Sequence, residues 1–194
     1  MSSSLFEYEM SPEEAMELLE MIVVDKWKEK ADARKWEEDI SLWEYAYDTL
    51  DRLEHSQLPD ALAELSGYSL DDVKRLWNMI SERQQEKLIR DIKRKIAEMG
   101  LEEFLPLAAS VVYSYPNRGI AKQVLQKAID FVDGKTSFDD LMNAVGQARP
   151  FNELPRAHKL FMKGAALGKY LTKTELKKLV SKHLIVDFLE PSPS

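Results

Sequence analysis

The chain of 194 residues contains no cysteine, which excludes disulfide bonds, thiolate nucleophiles and zinc sites built on cysteine ligands. Histidine is also scarce: His55, His158 and His183 are scattered, and none has the spacing that zinc and di-iron sites use. The sequence carries neither a Walker-type phosphate loop nor the Gly-x-Ser-x-Gly turn of hydrolases. We therefore expect a protein without enzymatic activity, without a metal site and without a cofactor.

Long apolar runs are missing as well. No segment approaches the 18 or so uncharged apolar residues that a membrane-spanning helix needs. The N-terminal stretch MSSSLFEYEMSPEE has no basic segment followed by an apolar run, so it does not resemble a signal peptide. These absences predict a cytoplasmic protein with no membrane partner.

Apolar residues recur at helical spacing through most of the chain, and no segment alternates long enough to predict a strand. Ser11, Pro12 and Glu14 form the capping signature of a first helix. A second helix is expected over 32–55, with an apolar stripe formed by Trp36, Ile40, Trp43, Tyr47, Leu50 and Leu53. Later helices are expected at 59–66, 70–80, 101–114, 119–133, 137–148, 156–170 and 172–188. The segment 81–99 either continues the helix 70–80 or restarts at Ser81, with Gln84 closing a capping box.

The expected fold is therefore an all-α, compact bundle of about eight or nine helices. Gly100 and Gly134 are expected to end helices, and Ser137 with Asp140 to cap one. Pro150 and Pro155 bracket the best internal boundary. It would divide an acidic bundle, 1–150, from a basic helical hairpin, 151–190, unless the two pack as one domain.

Charge is distributed unevenly along the chain, whose formal net charge is −7. Residues 1–81 carry a net charge of −12, residues 82–150 carry +1, and residues 151–194 carry +4. An acidic front and a basic tail can attract a polyanion to one end of the molecule. They can equally pair with each other, within one chain or between copies.

The segment LPDALAELSGYSLDDVKRLWNMI, residues 58–80, has the residues that a tight helix–turn–helix unit requires. Ala63 is small enough for a second helix to cross closely, and Gly67 can adopt the positive φ of the turn. Ser69 can cap the second helix, and Val73, four positions later, can pack it against the first.

This segment resembles the lac-repressor type of helix-turn-helix over residues 59–80. The matching positions are Ala63, Glu64, Gly67, Ser69, Val73, Arg75 and Asn78. The resemblance implies that the second helix enters the DNA major groove and that its first turn faces base edges. Here that turn holds Leu70, Asp71 and Asp72. This is a departure from the family, because the two adjacent carboxylates repel phosphates.

The same residues also fit a plain corner between two packed helices. In that interpretation Gly67 is an ordinary helix stop, and Ser69 with Asp72 is an ordinary cap.

Basic side chains on helix faces are the candidate contacts to nucleic acid, because lysine and arginine neutralise phosphates. Arg118 lies in a glycine-containing turn beside Tyr113 and Tyr115, where a phosphate or a stacked base could bind. The candidates are Lys169, Lys173, Lys177, Lys178, Lys182, Arg90, Lys93, Arg94, Arg118, Lys74 and Arg75.

The sequence thus favours a DNA-binding protein with a regulatory or replication-accessory role, whose partner is double-stranded DNA. The alternative is an assembly bundle, either an adaptor or an oligomeric subunit, that uses its acidic and basic faces to bind itself or another protein.

Overall fold

The computed structural model describes residues 9–114, 118–148, 151 and 154–186. These residues form an all-α structure with no strand, as the sequence predicts. A 3₁₀ turn at Leu167–Tyr170 precedes the last α-helix, and a π-helical turn at Ser181–Val186 follows it. The α-helices are α1 (Pro12–Glu37), α2 (Leu42–His55), α3 (Leu58–Ser66), α4 (Leu70–Asn78), α5 (Glu82–Ser114), α6 (Arg118–Val132), α7 (Phe138–Gly146), α8 (Pro155–Ala166) and α9 (Lys173–Val180).

Packing divides the chain into two compact units. The first unit comprises residues 1–41 and 48–96, and the second comprises residues 42–47 and 97–194. The first unit therefore contains α1, α3 and α4, and the second contains α6 to α9, while α2 and α5 contribute to both. The boundary at residue 150 is a different division of the chain and remains a prediction; Pro150 itself lies outside the described residues.

The first unit is built on α1, which packs against α3 and α4. A capping box holds its start: the Glu14 backbone N–H donates to Ser11 Oγ at 3.1 Å, and the Ser11 N–H donates to Glu14 Oε1 at 3.4 Å. Trp27 is completely buried, and its indole N–H donates to Thr49 Oγ1 at 2.8 Å. The buried ring and its satisfied N–H fix α1 in the core of this unit.

The predicted helix over 32–55 is wrong at its beginning. Helix α1 continues to Glu37, and α2 begins only at Leu42. Asp39 between them has a φ of +54°, a left-handed conformation that interrupts helical hydrogen bonding. Trp36 therefore belongs to the end of α1, and 87 % of it is exposed, so it is not part of the apolar core that the spacing predicted.

The predicted helix end at Gly100 is also wrong, because α5 runs without a break from Glu82 to Ser114. Gly100 is needed for close packing in the second unit. A Cβ atom there would lie 2.7 Å from Leu167 Cδ1 and 3.0 Å from Ala46 Cβ. Pro106 also lies inside this helix, where it lacks the N–H that would bond to Glu102.

The second unit has an aromatic core. Phe104 lies between Trp43 and Phe161, with ring centroids 5.5 Å from each, and Phe161 also contacts Phe151 at 5.0 Å. The Trp43 indole N–H donates to the Leu160 carbonyl oxygen at 3.3 Å. Such tilted and edge-on ring pairs add stability beyond the burial of their area.

Candidate nucleic-acid interface

Helix α4 presents one polar stripe to solvent. Its buried side is formed by Val73 and Leu76, which are 0 % and 1 % exposed. The exposed residues are spaced by three and four, so they lie along one face of the helix. They are Asp71, Lys74, Arg75 and Asn78.

None of these four exposed side chains has a hydrogen-bond or ion-pair partner in the part of the chain that the structure describes. A neighbouring group on the same helix does have a partner: the Trp77 carbonyl accepts a hydrogen bond from Gln85 Nε2 at 3.0 Å. The stripe on α4 is therefore available to a ligand without first breaking a contact within the protein.

Local chemistry explains how α4 starts. Gly67 ends α3 with a φ of +78°, and its N–H donates to the Ala63 carbonyl at 3.0 Å. The Asp72 N–H then donates to Ser69 Oγ at 3.2 Å, which caps α4. The glycine turn and the serine cap predicted from sequence are confirmed; the repressor-type arrangement of the two helices remains a prediction.

The basic cluster on α5 is only partly available. Lys95 Nζ lies 3.2 Å from Glu20 Oε1, and Arg94 Nη2 lies 3.7 Å from Asp91 Oδ1. Arg90 is exposed and Lys93 half-buried, and neither has a partner within the described residues. Among the predicted contacts on this helix, Arg90 and Lys93 are therefore the two that can bind a phosphate without first breaking an ion pair within the described residues.

Charge is segregated within the first unit, which carries 22 Asp/Glu and 14 Lys/Arg. Residues 70–96 carry five acidic and eight basic side chains, a net charge of +3. The rest of the unit carries 17 acidic and six basic side chains, a net charge of −11. Lys74, Arg75, Arg90 and Lys93 thus belong to a basic segment of an acidic unit.

The predicted row of lysines near the C-terminus belongs to the second unit and divides into two groups. Lys169, Lys173 and Lys177 line an open pocket. Lys178 and Lys182 lie, with part of Lys177, along a shallow face next to Val186. Lys182 Nζ lies 3.6 Å from Glu102 Oε2, and Lys169 Nζ lies 5.0 Å from the centre of the Tyr170 ring.

The last predicted helix, 172–188, is helical as far as Val186, but the α-helix ends at Val180 and a π-helical turn follows it; residues 187 and 188 lie outside the described residues. In that turn His183 is only 6 % exposed, and its Nε2 lies 2.9 Å from Glu102 Oε2. Sequence reasoning missed this pair, since the two residues are 81 positions apart and neither belongs to a recognisable motif.

Arg118 is the exposed first residue of α6. The hydroxyl of Tyr113 donates to the Leu184 carbonyl at 2.6 Å, and burial raises the pKa of this phenol. The ring is therefore engaged in packing within the second unit, and its stacking role remains a prediction. Tyr115 and the next two residues of the predicted turn, 116 and 117, lie outside the described residues.

The structure thus gathers the predicted contacts into two sets. Lys74, Arg75, Arg90, Lys93 and Arg94 lie in the first unit. The second unit holds Arg118 and the five lysines Lys169, Lys173, Lys177, Lys178 and Lys182.

Comparison of the chain with models of protein families, with curated proteins and with solved structures finds no match. Among the described residues, no helix is both long enough and apolar enough to cross a membrane. Nor does any group of three or more histidine, aspartate or glutamate side chains in that part of the chain come together as metal ligands would. The candidate interface therefore rests on its own geometry and charge.

Proposed function

We propose that this chain is a non-enzymatic, cytoplasmic protein that binds double-stranded DNA through the exposed stripe of α4, in a regulatory or replication-accessory role. The observation that carries the proposal is the stripe itself, with Asp71, Lys74, Arg75 and Asn78 exposed and unpartnered on one face. An α-helix fits the major groove, where base edges are distinguishable.

The side chains of the stripe match the chemistry of base edges. Asparagine can form two hydrogen bonds with adenine, and arginine can do the same with guanine. Asp71 can accept from the amino group of cytosine, which gives an acidic residue a place on this face. Arg75 and Asn78 are therefore the expected specificity contacts.

Phosphate affinity comes from the basic segment 70–96. Lys74, Arg90 and Lys93 extend the positive charge beyond Arg75, while the acidic remainder of the first unit disfavours other docking orientations. With about four phosphates neutralised, affinity falls about a hundredfold between 50 and 200 mM salt.

The second unit offers phosphate contacts of its own. Lys178 is exposed and has no partner within the described residues. Because such a lysine contacts backbone rather than bases, Lys178→Glu is expected to weaken binding to every duplex sequence about equally.

The test is fluorescence anisotropy with labelled duplexes at two salt concentrations. Arg75→Ala is expected to weaken binding by about 1–3 kcal/mol and to relax the preference among duplex sequences. The matched control is Lys28→Ala, which removes an exposed, unpartnered charge from α1 in the same unit. Equal losses for both variants, or no binding by the wild-type chain at 50 mM salt, would contradict the proposal.

A second candidate function is protein assembly, and Trp36 is the observation that favours it. Residues 32–39 are all exposed, so the end of α1 carries an 87 % exposed tryptophan. Tryptophan is enriched among the residues that dominate protein interfaces. Sedimentation as a function of concentration tests this candidate: a self-associating chain would become monomeric on Trp36→Ala, and a chain monomeric throughout would exclude self-association.

A further inference from the structure

The second unit contains a pocket of about 710 Å³ that combines charged and apolar lining. The residues that line this pocket belong to the end of α6, the start of α7, the end of α8, the 3₁₀ turn and α9. Its volume falls within the range of about 300–1,000 Å³ that small-molecule sites occupy. The size alone therefore favours a compact ligand over a polymer.

Lysine dominates the charge of this pocket. Four lysines line it against a single carboxylate, that of Asp139, and they come from three separate segments: Lys135, Lys169, Lys173 and Lys177. The side-chain amines of Lys135, Lys173 and Lys177 have no hydrogen-bond or ion-pair partner within the described residues. Like charges that line one cavity repel each other where carboxylates are too few to neutralise them, and an anion relieves that repulsion.

Aromatic and aliphatic side chains form the floor. Phe131 and Phe138 are 3 % and 8 % exposed, and their ring centroids are 5.8 Å apart. Phe138 is held in place because Gly168 has no side chain; a Cβ there would lie 2.3 Å from Phe138 Cε1. Leu176 also lines the pocket. The floor is thus apolar and held in place, and it can contact an apolar part of a ligand.

The start of α7 also lines the pocket, but it adds little to the attraction of an anion. Ser137 Oγ already accepts from the Asp140 N–H at 3.0 Å, and Asp139 and Asp140 offset the positive end of the helix. Thr136 Oγ1 donates to Asp140 Oδ2 at 3.0 Å, which engages one of those two carboxylates. The lysines and the apolar floor carry the inference.

We propose that this pocket binds a nucleoside triphosphate, with the phosphates held by Lys135, Lys173 and Lys177 and the planar base against the apolar floor. A small ligand that is polyanionic at one end and flat and apolar at the other complements both surfaces at once. The proposed site contains no residue of the α4 stripe, and the proposal does not depend on DNA binding.

Calorimetric titration of the full chain tests the proposal with three probes: ATP, inorganic tripolyphosphate and adenosine. ATP is expected to bind saturably with a Kd below about 1 mM. Tripolyphosphate lacks the base and adenosine lacks the charge, so each is expected to bind at least about tenfold more weakly. Absence of saturable ATP binding overturns the proposal, as does binding of either fragment as tight as that of ATP.

Variants of α9 locate the site. Lys173→Ala is expected to weaken ATP binding about fivefold to tenfold, because it removes one charge-assisted contact. Lys178→Ala is the matched control, since Lys178 is exposed on the same helix but does not line this pocket. Equal losses for the two variants would assign ATP to diffuse surface charge and overturn the site.

A blocking variant gives a second check. Ala166 lines the pocket and is half-buried, so Ala166→Glu adds bulk and negative charge to the pocket wall. ATP binding is expected to be lost while the helical circular dichroism is retained; retained ATP binding would contradict the placement. Arg75→Ala is expected to leave ATP affinity unchanged, so DNA binding and nucleotide binding can fail separately.

Discussion

Helix α3 of the first unit and helix α8 of the second both depend on a glycine, but for different physical reasons. Gly67 closes α3 with a φ of +78°, and the nearest atom to a Cβ there would be Lys26 Cε at an ordinary 3.7 Å. Gly164 lies inside α8, where a Cβ would lie 2.3 Å from Phe104 Cδ1. The first glycine is required by the backbone, and the second by the neighbouring ring.

This difference follows the composition of the two cores. The first unit buries mainly leucine, isoleucine and valine around Trp27. The second unit packs a chain of rings, and Gly146, Gly164 and Gly168 each face a phenylalanine at close range. We expect a glycine in the second core to be sensitive to the size of its neighbour, and Gly67 to be sensitive only to backbone conformation.

The largest loss of folding stability is expected for Gly164→Ala. Alanine normally favours a helix interior over glycine by about 1 kcal/mol. Here overpacking against Phe104, which is 2 % exposed, is expected to outweigh that gain and destabilise the chain by about 1–3 kcal/mol. Urea unfolding followed by circular dichroism measures the change.

A second substitution separates this explanation from general disruption of α8. Phe104→Leu removes part of the ring, so the double variant is expected to lose less stability than the sum of the two single variants. Additive losses would contradict the proposed contact, and a more stable Gly164→Ala chain would contradict the packing of α8.

A smaller effect, about 1 kcal/mol, is expected for Gly67→Ala, because alanine is strained at a positive φ. Asparagine tolerates the left-handed region better, so Gly67→Asn is expected to lose less stability. The same unfolding assay measures both. If alanine and asparagine were tolerated equally, the backbone explanation of this turn would be wrong.

The smallest effect is expected at the caps of α4 and α7. Ser69→Ala and Ser137→Ala each remove one side-chain acceptor at a helix start, and each is expected to lower stability by about 0.5–1 kcal/mol. Aspartate can accept the same hydrogen bond, so Ser69→Asp serves as the control that retains stability. A loss with aspartate equal to that with alanine would show that the cap is not the cause.

Sequence reasoning succeeded where the cause was local. The capping residues at Ser11, Ser69 and Ser137 and the stops at Gly67 and Gly134 all depend on residues within about four positions. At Ser81 the sequence left continuation and restart of a helix open, and the structure shows the restart, with a capping box between Ser81 and Gln84. Helical periodicity over longer segments was enough to predict the all-α class. These signals do not depend on which helices meet.

Sequence reasoning failed where contacts between distant parts of the chain determine the local structure. Gly100 is a residue type that commonly ends helices, yet it lies inside α5, where Ala46 and Leu167 pack too closely to leave room for a side chain. Trp36 fits an apolar stripe, but the stripe is interrupted by the left-handed Asp39. The partition of the α9 lysines between a pocket and an open face likewise depends on α6 and α7, which spacing within α9 cannot reveal.

The central claim, that the stripe of α4 contacts duplex DNA, can be tested directly because the chain has no cysteine. Asn78→Cys introduces a unique thiol in the stripe, to which a photo-crosslinker can be attached, and Lys28→Cys places the same group on an exposed position of α1. We expect irradiation with duplex DNA at low salt to cross-link the chain through position 78 and not through position 28. Equal yields at the two positions, or no cross-link at position 78, would contradict the account.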